Sequence, residues 1–344
     1  MTSLVTGGTG FLGSHVARQL AARGERVRVL ARPGNNRRAL AEIPCEIVEG
    51  DLRDPASLEK AVAGVHRIFH VAADYRLWAR DPREIYESNV TGTRNLLQAA
   101  RRAGVGRFIY TSTVATLAVD RASLGGALPN ETIETTVDEM IGHYKKSKWL
   151  AENEVRSAAR EGLPAVIVMP TTPVGPGDWK PTPTGKILLD FLTGKMPGYV
   201  HTGLNFVGVE EAAAGHLLVA EKGRIGERYL IGSQNLTLKQ LLDALARISG
   251  LSAPRFRFPH ALALLAAYFD TGVSRLRGRA PNIQIEGVKI ARHMMFVDCS
   301  RAQREMGFAP APVQAALERA VRWYVENGYI GAGRAARLAL ERAA

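Results

Sequence analysis

Residues 3–13 read Ser-Leu-Val-Thr-Gly-Gly-Thr-Gly-Phe-Leu-Gly. Leu4 and Val5 give a short apolar strand that Thr6 ends, and Gly7, Gly8, Gly10 and Gly13 follow. Phe11, Leu12, Val16, Ala17 and Leu20 then recur at helical spacing. A strand that breaks through glycines into a helix leaves free N–H groups and the positive end of the helix dipole above the loop, a setting for an anion. Glycine lets the turn reach its backbone angles, lets a pyrophosphate approach and lets the helix pack on the sheet. Gly8, Gly10 and Gly13 fit G-x-G-x-x-G, while Gly7, Gly10 and Gly13 fit T-G-x-x-G-x-x-G. Spacing leaves open which glycine makes the sharp turn. Between a strand and a helix, the motif predicts a dinucleotide site.

Outward from this loop the first half alternates strand and helix. Apolar runs at 27–30, 47–48, 68–71, 108–110 and 165–169 read as buried parallel strands. Asp54-Pro55 and Asp81-Pro82 each set a capping carboxylate before a helix-starting proline. Helices are expected over 82–102 and 140–159. Repeated β-α units with a dinucleotide loop at the first turn predict an α/β fold, a doubly wound parallel Rossmann sheet. After Met169, Pro170, Pro173, Pro176, Pro181 and Pro183 interrupt regular structure. Residues 1–170 are read as the NAD(P)-binding domain and 171–330 as a smaller substrate-binding region, set apart or interleaved. There Thr237 and Gln240 form a capping box. A late helix over 313–326 stops at Asn327-Gly328, and 331–344 is a basic, Ala-rich tail.

The chain has 344 residues, 46% apolar, two cysteines and a formal charge of +12. No apolar run approaches the ~20 residues of a membrane span. Cys45 and Cys299 alone suit a reducing cytoplasm and give no disulfide scaffold or Cys-rich metal site. The first strand starts right after Met1-Thr2, so no signal peptide is expected and the localisation reads as cytoplasmic. The positive charge favours anionic small molecules or an acidic membrane surface. No nucleic-acid motif appears, and no nucleic-acid partner or metal is expected.

The second strand ends at Leu30-Ala31-Arg32, where an NAD site would carry an acid. Arg32, with Arg37 and Arg38 following, suits a 2′-phosphate and favours NADP(H), with NAD(H) the alternative. The plainer reading makes these solvated loop charges. Asp51, after the third strand, reads as an adenine contact or as a turn residue. Tyr144 and Lys148 lie four apart on one helix face. An adjacent ammonium is expected to lower the phenol from its usual ~10, so that Tyr144 exchanges a proton with a substrate oxygen. Thr113 offers a hydroxyl to the same oxygen.

Thr6-Gly7-Gly8-Thr9-Gly10-Phe11-Leu12-Gly13, Thr111-Ser112-Thr113 and Tyr144-Lys145-Lys146-Ser147-Lys148 together resemble the signatures of an extended short-chain dehydrogenase/reductase. Three further stretches narrow the resemblance to the hopanoid-associated sugar epimerases, near the dihydroflavonol-reductase-like branch. They are His70-Val71-Ala72-Ala73-Asp74-Tyr75-Arg76-Leu77-Trp78, Trp179-Lys180-Pro181-Thr182-Pro183-Thr184-Gly185 and Gly203-Leu204-Asn205. The resemblance implies a catalytic triad of Thr113, Tyr144 and Lys148, with Lys148 also on the nicotinamide ribose. It implies that Gly7, Gly10, Phe11, Leu12 and Gly13 hold the pyrophosphate, that Asp51 and Leu52 flank the adenine, and that Ala72, Ala73 and Pro170 border the cofactor. It also implies a homodimer through the helices at 82–102 and 140–159. Thr113 replaces the family's usual serine, and Gly208 stands where relatives carry a histidine.

Sugar dehydratases of this type carry an acid pair after the catalytic hydroxyl, where this chain has Val114 and Ala115. Dehydration is therefore not expected. The favoured reading is an oxidoreductase acting at a secondary alcohol or ketone. Its alternatives are a nucleotide-sugar epimerase with tightly held cofactor and a non-catalytic NADP-sensing regulator. The resemblance makes the substrate a sugar-like or polyol molecule, such as the side chain of a hopanoid. Tyr75, Arg76, Trp78, Asp178, Trp179, Lys180 and Asn205 are its candidate contacts. In residues 255–279, arginines at 255, 257, 275, 277 and 279 surround Leu262, Leu264, Leu265 and Phe269. The segment reads as a peripheral membrane contact or, preferably, as a core-facing helix with solvated arginines.

Overall fold

The computed structural model describes residues 1–117 and 125–338. Seven strands form the main sheet: β1 (Thr2–Thr6), β2 (Arg26–Ala31), β3 (Cys45–Glu49), β4 (Arg67–His70), β5 (Arg107–Thr111), β6 (Ala165–Pro170) and β7 (Arg228–Ile231). Their order is β7-β6-β5-β4-β1-β2-β3, and every pairing is parallel. All residues of β1 and β6 are buried, as a sheet covered on both faces demands. The order reverses between β1 and β4, so the carboxyl ends of these strands border the crevice where such sheets bind ligands. Thr6 stands opposite Leu30 and His70 there, and Tyr110 opposite His70.

Four helices of this part position the site: α1 (Phe11–Ala22), α2 (Pro55–Val62), α3 (Gly92–Arg102) and α4 (Gly142–Arg160). Asp54 caps α2 as its sequence predicts, accepting from the Ala56 amide at 3.1 Å. The helix expected over 82–102 is regular only at its ends. Arg83–Tyr86 leads into a π-helical turn, Glu87–Thr91, before α3 begins. Such wide turns insert one residue and re-aim side chains, often at functional sites. Here the turn carries Asn89, which is buried.

The chain folds as two units. The first holds Met1–Thr171, Glu210–Ile231 and Asp298–Ala309, and the second holds Thr172–Val209, Gly232–Val297 and the chain from Pro310 onward. The chain passes from the first unit to the second after Thr171 and then returns twice to the first. Its first return supplies β7, which pairs with β6 and extends the sheet.

In the second unit, Gly203–Gly208 pairs with Gln234–Thr237, Met294–Met295 and Thr172–Val174. Helix Leu238–Ser249 opens with the expected box: Gln240 N donates to Thr237 Oγ1 at 3.2 Å, and Thr237 N donates to Gln240 Oε1 at 2.8 Å. Leu188, Leu192, Phe206, Leu241, Leu245, Leu317 and Val321 form the core of this unit. The expected tail is packed at its start, where Arg334 Nε donates to the Leu192 carbonyl and Leu338 is buried. Residues 339–344 lie outside the described residues. The preferred reading of 255–279 is overturned. Helix His260–Leu276 turns only the small Ala267 and Ser274 fully inward, and Leu262, Leu265 and Phe269 are exposed.

Candidate active site

The glycine loop follows directly from the end of β1. Gly7 has φ +72°, and a Cβ there would sit 2.6 Å from the Ala72 amide nitrogen, so Gly7 makes the sharp turn that spacing left open. A Cβ on Gly13 would strike the Gly7 carbonyl oxygen, and one on Gly8 would sit 2.8 Å from Val29 Cγ1. Gly10 N donates to Gly7 O at 2.9 Å. Gly10 then caps α1 with no side-chain hydrogen bond, and no acid occupies the first turn. The first N–H groups of α1, from Phe11 through Gly13, therefore have no intrahelical acceptor and suit an anion. A cradle whose walls are backbone, and which a single methyl would fill, fits a dinucleotide pyrophosphate.

Thr6 ties this loop to the neighbouring strands. Its Oγ1 accepts from the Ala72 amide at 3.2 Å and lies 2.7 Å from His70 Nδ1. Thr93 donates to the Asn89 carbonyl at 2.6 Å, so its oxygen is left to accept from His70 Nε2 at 2.9 Å. His70 is thus the Nε2–H tautomer, with Thr6 donating to Nδ1. Burial, aided by the Lys148 charge, pushes its pKa down to about 3, so it is a neutral fastener. Ala72 and Ala73 follow it at the crevice, and Pro170 ends β6 opposite Ile231.

At the end of β2, Arg32 is exposed, and among the described residues its guanidinium has no hydrogen bond or ion pair. Arg37 is drawn to Glu49. Asp51 is held by its neighbour: Arg53 N and Nε donate to Oδ1 at 2.9 and 3.0 Å, and Nη2 to Oδ2 at 2.7 Å. These bonds lower its pKa and fasten the turn after β3. Leu52 packs against Gly92 at the start of α3, where a Cβ would come within 2.8 Å of its own.

The candidate proton-handling groups meet where β5 ends beside α4. Thr113 accepts from the Ala115 amide at 3.2 Å, which leaves its O–H to donate, and it lies near enough to the Tyr144 hydroxyl to lower its pKa. Lys148, one turn further along α4, is buried and points to β5. Its Nζ donates to Tyr110 Oη at 2.8 Å and to the Thr111 carbonyl at 2.7 Å, and lies 4.3 Å from the Tyr110 ring centre. This corrects the expected ionisation. Burial raises the Tyr144 phenol to about 12 against the opposing effect of Thr113, and burial lowers Lys148 to about 7. The Lys148 ammonium is engaged by Tyr110 and Thr111, and the Tyr144 phenol is protonated at neutral pH.

Several residues that the sequence reading passed over hold this arrangement. Asn89 Nδ2 donates to Ser147 Oγ and to the Asp74 carbonyl, both at 2.9 Å, joining the loop at 72–78 to α4. Thr111 Oγ1 lies 3.0 Å from His216 Nε2, and the Ala212 carbonyl fixes the Nδ1–H tautomer at 2.7 Å. Glu152 lies one turn beyond Lys148 and its charge supports the ammonium. It accepts from Ser112 and pairs with Arg228 at 3.2 Å, both side chains being buried. Arg228 also donates to the carbonyls of Glu131 and Ile133 at 2.6 and 2.9 Å. Glu152 was visible only as the next member of the Tyr144–Lys148 helical stripe, four residues on.

Of the expected substrate contacts in the first unit, Tyr75 and Trp78 are exposed, and Tyr75 is close enough to raise the Tyr144 pKa. Arg76 is paired with Asp74 and Glu84. In the second unit, Asp178 is buried and accepts from Thr182 N at 2.9 Å, Thr182 Oγ1 at 2.9 Å and Tyr324 Oη at 3.1 Å. Trp179 stacks edge-on against Trp323, with centroids 4.7 Å apart, and Lys180 is exposed. Asn205 is buried and donates to Asn235 Oδ1 at 2.9 Å while accepting from Ser233 N at 3.1 Å. Asp178 and Asn205 thus fasten their own unit together.

Comparison with known proteins places this geometry. The model of the "NAD dependent epimerase/dehydratase family" matches residues 3–232. A "Putative dihydroflavonol 4-reductase" of Synechocystis sp. is 42% identical over 95% of this chain and 95% of its own. "Sterol demethylase protein B" of Methylococcus capsulatus is 36% identical over 96% of this chain and 100% of its own. The dTDP-glucose 4,6-dehydratase of Streptomyces venezuelae, solved with NAD bound, superposes with a TM-score of 0.75 at 26% identity, over 95% of this chain and 98% of that one. A match across the whole sheet and its glycine loop, by both sequence and structure, leaves one assignment: the chain belongs to the NAD-dependent epimerase/dehydratase family of extended short-chain dehydrogenases/reductases, and is an enzyme of that NAD(P)-dependent type.

Proposed function

We propose that this enzyme is an NADPH-dependent reductase, reversible as an alcohol dehydrogenase, acting on the ketone of a ring-bearing small molecule. The observation that carries the reading is the placement of Thr113, Tyr144 and Lys148 together where β5 ends beside α4, with the Tyr144 phenol, its pKa raised to about 12 by desolvation, in its protonated form. That is an acid poised to protonate a new alkoxide. A bound nicotinamide would supply the hydride in this direction and accept it in the other. Gly7, Gly10, Phe11, Leu12 and Gly13 would hold the pyrophosphate, and Lys148 the adjoining ribose. Arg32, with no competing carboxylate bond, would take a 2′-phosphate, which favours NADP(H).

Dehydration lacks its acid pair, since Val114 and Ala115 are buried and carry no titratable group. The exposed rings of Tyr75 and Trp78 suit a ring-bearing substrate, as do the flavonoid and sterol in the relatives' names. A hopanoid or sugar-like ring system fits the same description.

The test is NADPH consumption with flavonoid, steroid and sugar ketones, for the wild type and Tyr144→Phe. Loss of roughly 10²–10⁴-fold in kcat in the variant supports the reading, and equal rates refute it. A second reading, epimerisation with retained cofactor, draws on the family's epimerases. Denaturing the purified protein separates the two, since released NAD⁺ in stoichiometric amount supports the epimerase and an empty site that binds NADPH supports the reductase.

A further inference from the structure

Helix His260–Leu276 of the second unit carries its large apolar residues on the wrong side for a core. At about 100° per residue, Ala267 and Ser274 share one stripe, and Leu262, Leu265, Phe269 and Leu276 cluster on the opposite one. The inward stripe is buried, whereas Leu265, Phe269 and Leu276 are 65%, 76% and 90% exposed. Tyr268, on the flank, is half exposed, and Phe256 and Ile283, in the segments before and after the helix, are exposed too. A face of this kind on a helix about 25 Å long is far from the scattered apolar exposure of ordinary surfaces.

The charge around the face selects what covers it. Residues 255–279 hold five arginines and one acid, Asp270. Asp270 is turned inward and occupied, accepting from the Ile283 amide at 2.8 Å and lying 3.9 Å from Arg279. Among the described residues, Arg255, Arg257, Arg275 and Arg277 have no carboxylate partner. Arginines flank both ends of the helix, so a second copy laid on this face, parallel or antiparallel, would set arginines against arginines. A surface that is apolar beneath and anionic above meets both demands. Among the described residues no helix is long and apolar enough to cross a membrane, and this one, at 17 residues, is short for a span.

We propose that this helix lies in the headgroup region of an anionic bilayer, with Leu262, Leu265, Phe269 and Leu276 inserted and Arg255, Arg257, Arg275 and Arg277 on the lipid phosphates. The enzyme is thereby a peripheral membrane protein, and this surface is independent of the residues that handle the proton.

The experiment is co-sedimentation of the full chain with vesicles of phosphatidylcholine alone or with about 30 mol% phosphatidylglycerol, at ~0.1 M salt. The wild type is expected to pellet with the anionic vesicles and to stay in solution with the neutral ones. Leu265→Ser/Phe269→Ser is expected to weaken binding by roughly tenfold or more, and Arg275→Glu/Arg277→Glu to abolish the preference for phosphatidylglycerol. Both variants change exposed side chains, and unchanged NADPH binding shows that they fold. A wild type that stays in the supernatant with anionic vesicles overturns the proposal, as does undiminished binding by Leu265→Ser/Phe269→Ser. A wild-type dimer that this double variant converts to monomer also overturns it, since it assigns the face to a second copy.

Discussion

Glu152→Gln tests how the buried charges govern the site. Glu152 lies one helical turn beyond Lys148, and its carboxylate supports an ammonium that burial has already lowered to about 7. Neighbours at this spacing sit about 6 Å apart. At an effective dielectric near 20, a unit charge there is worth roughly 2–3 kcal/mol. Arg228, 3.2 Å from the same carboxylate, cancels part of that field. The working figure is therefore about 1.4 kcal/mol, a tenfold fall in the ratio of ammonium to amine. Tyr144, held near 12, stays protonated across the assay range, so Lys148 is the group that titrates. If its ammonium is the working form, wild-type kcat/KM for ketone reduction is flat below pH 7 and falls as Lys148 loses its proton above it. In Glu152→Gln the fall begins at lower pH. The two curves then meet on the acid side and separate by roughly tenfold near pH 8. Curves that run parallel at a constant ratio would show that Glu152 acts through structure alone and would refute the reasoning.

Arg32→Ser should weaken NADPH binding by about 1.5–3 kcal/mol, the worth of a charge-assisted bond, and leave NADH binding nearly unchanged. Fluorescence titration with both cofactors checks this. Gly7→Ala puts a methyl 2.6 Å from the Ala72 nitrogen at a φ of +72°. The expected cost is about 1–3 kcal/mol in urea unfolding, together with loss of cofactor binding. Arg228→Met strands a buried carboxylate and should destabilise by about 3–5 kcal/mol. Arg228→Met/Glu152→Gln should recover at least ~1 kcal/mol of that, a coupling that a double-mutant cycle in urea measures.

The parts of this molecule that were legible in its sequence are those written in neighbouring residues. The glycines between Leu4-Val5 and the α1 repeat announced a turn and a helix start. The run at 165–169 announced a strand buried on both faces, because such strands are apolar without alternation. Thr237 and Gln240 carried their own helix start in two side chains. The π turn was hidden because Ile85, Leu96 and Leu97 fit an ordinary helix, and one inserted residue leaves no trace in so sparse a pattern. The inverted helix was hidden for a related reason. Leu262, Leu265 and Phe269 define a face, but periodicity carries no information on whether protein or solvent meets it.

Partner choice was the deepest limit, and Lys148 shows why. Tyr144 lies four residues before it and Glu152 four residues after, so helical spacing offers both as equal neighbours. What draws Nζ away from the phenol is the Tyr110 hydroxyl and the Thr111 carbonyl, which come from a strand nearly forty residues upstream. Buried among them, the lysine loses its hold on a proton, and the phenol it was expected to acidify becomes harder to ionise. The same three side chains that spacing brings together can serve as a base or an acid. Desolvation raises the Tyr144 phenol to about 12 and keeps it in the protonated form that the proposed reduction uses.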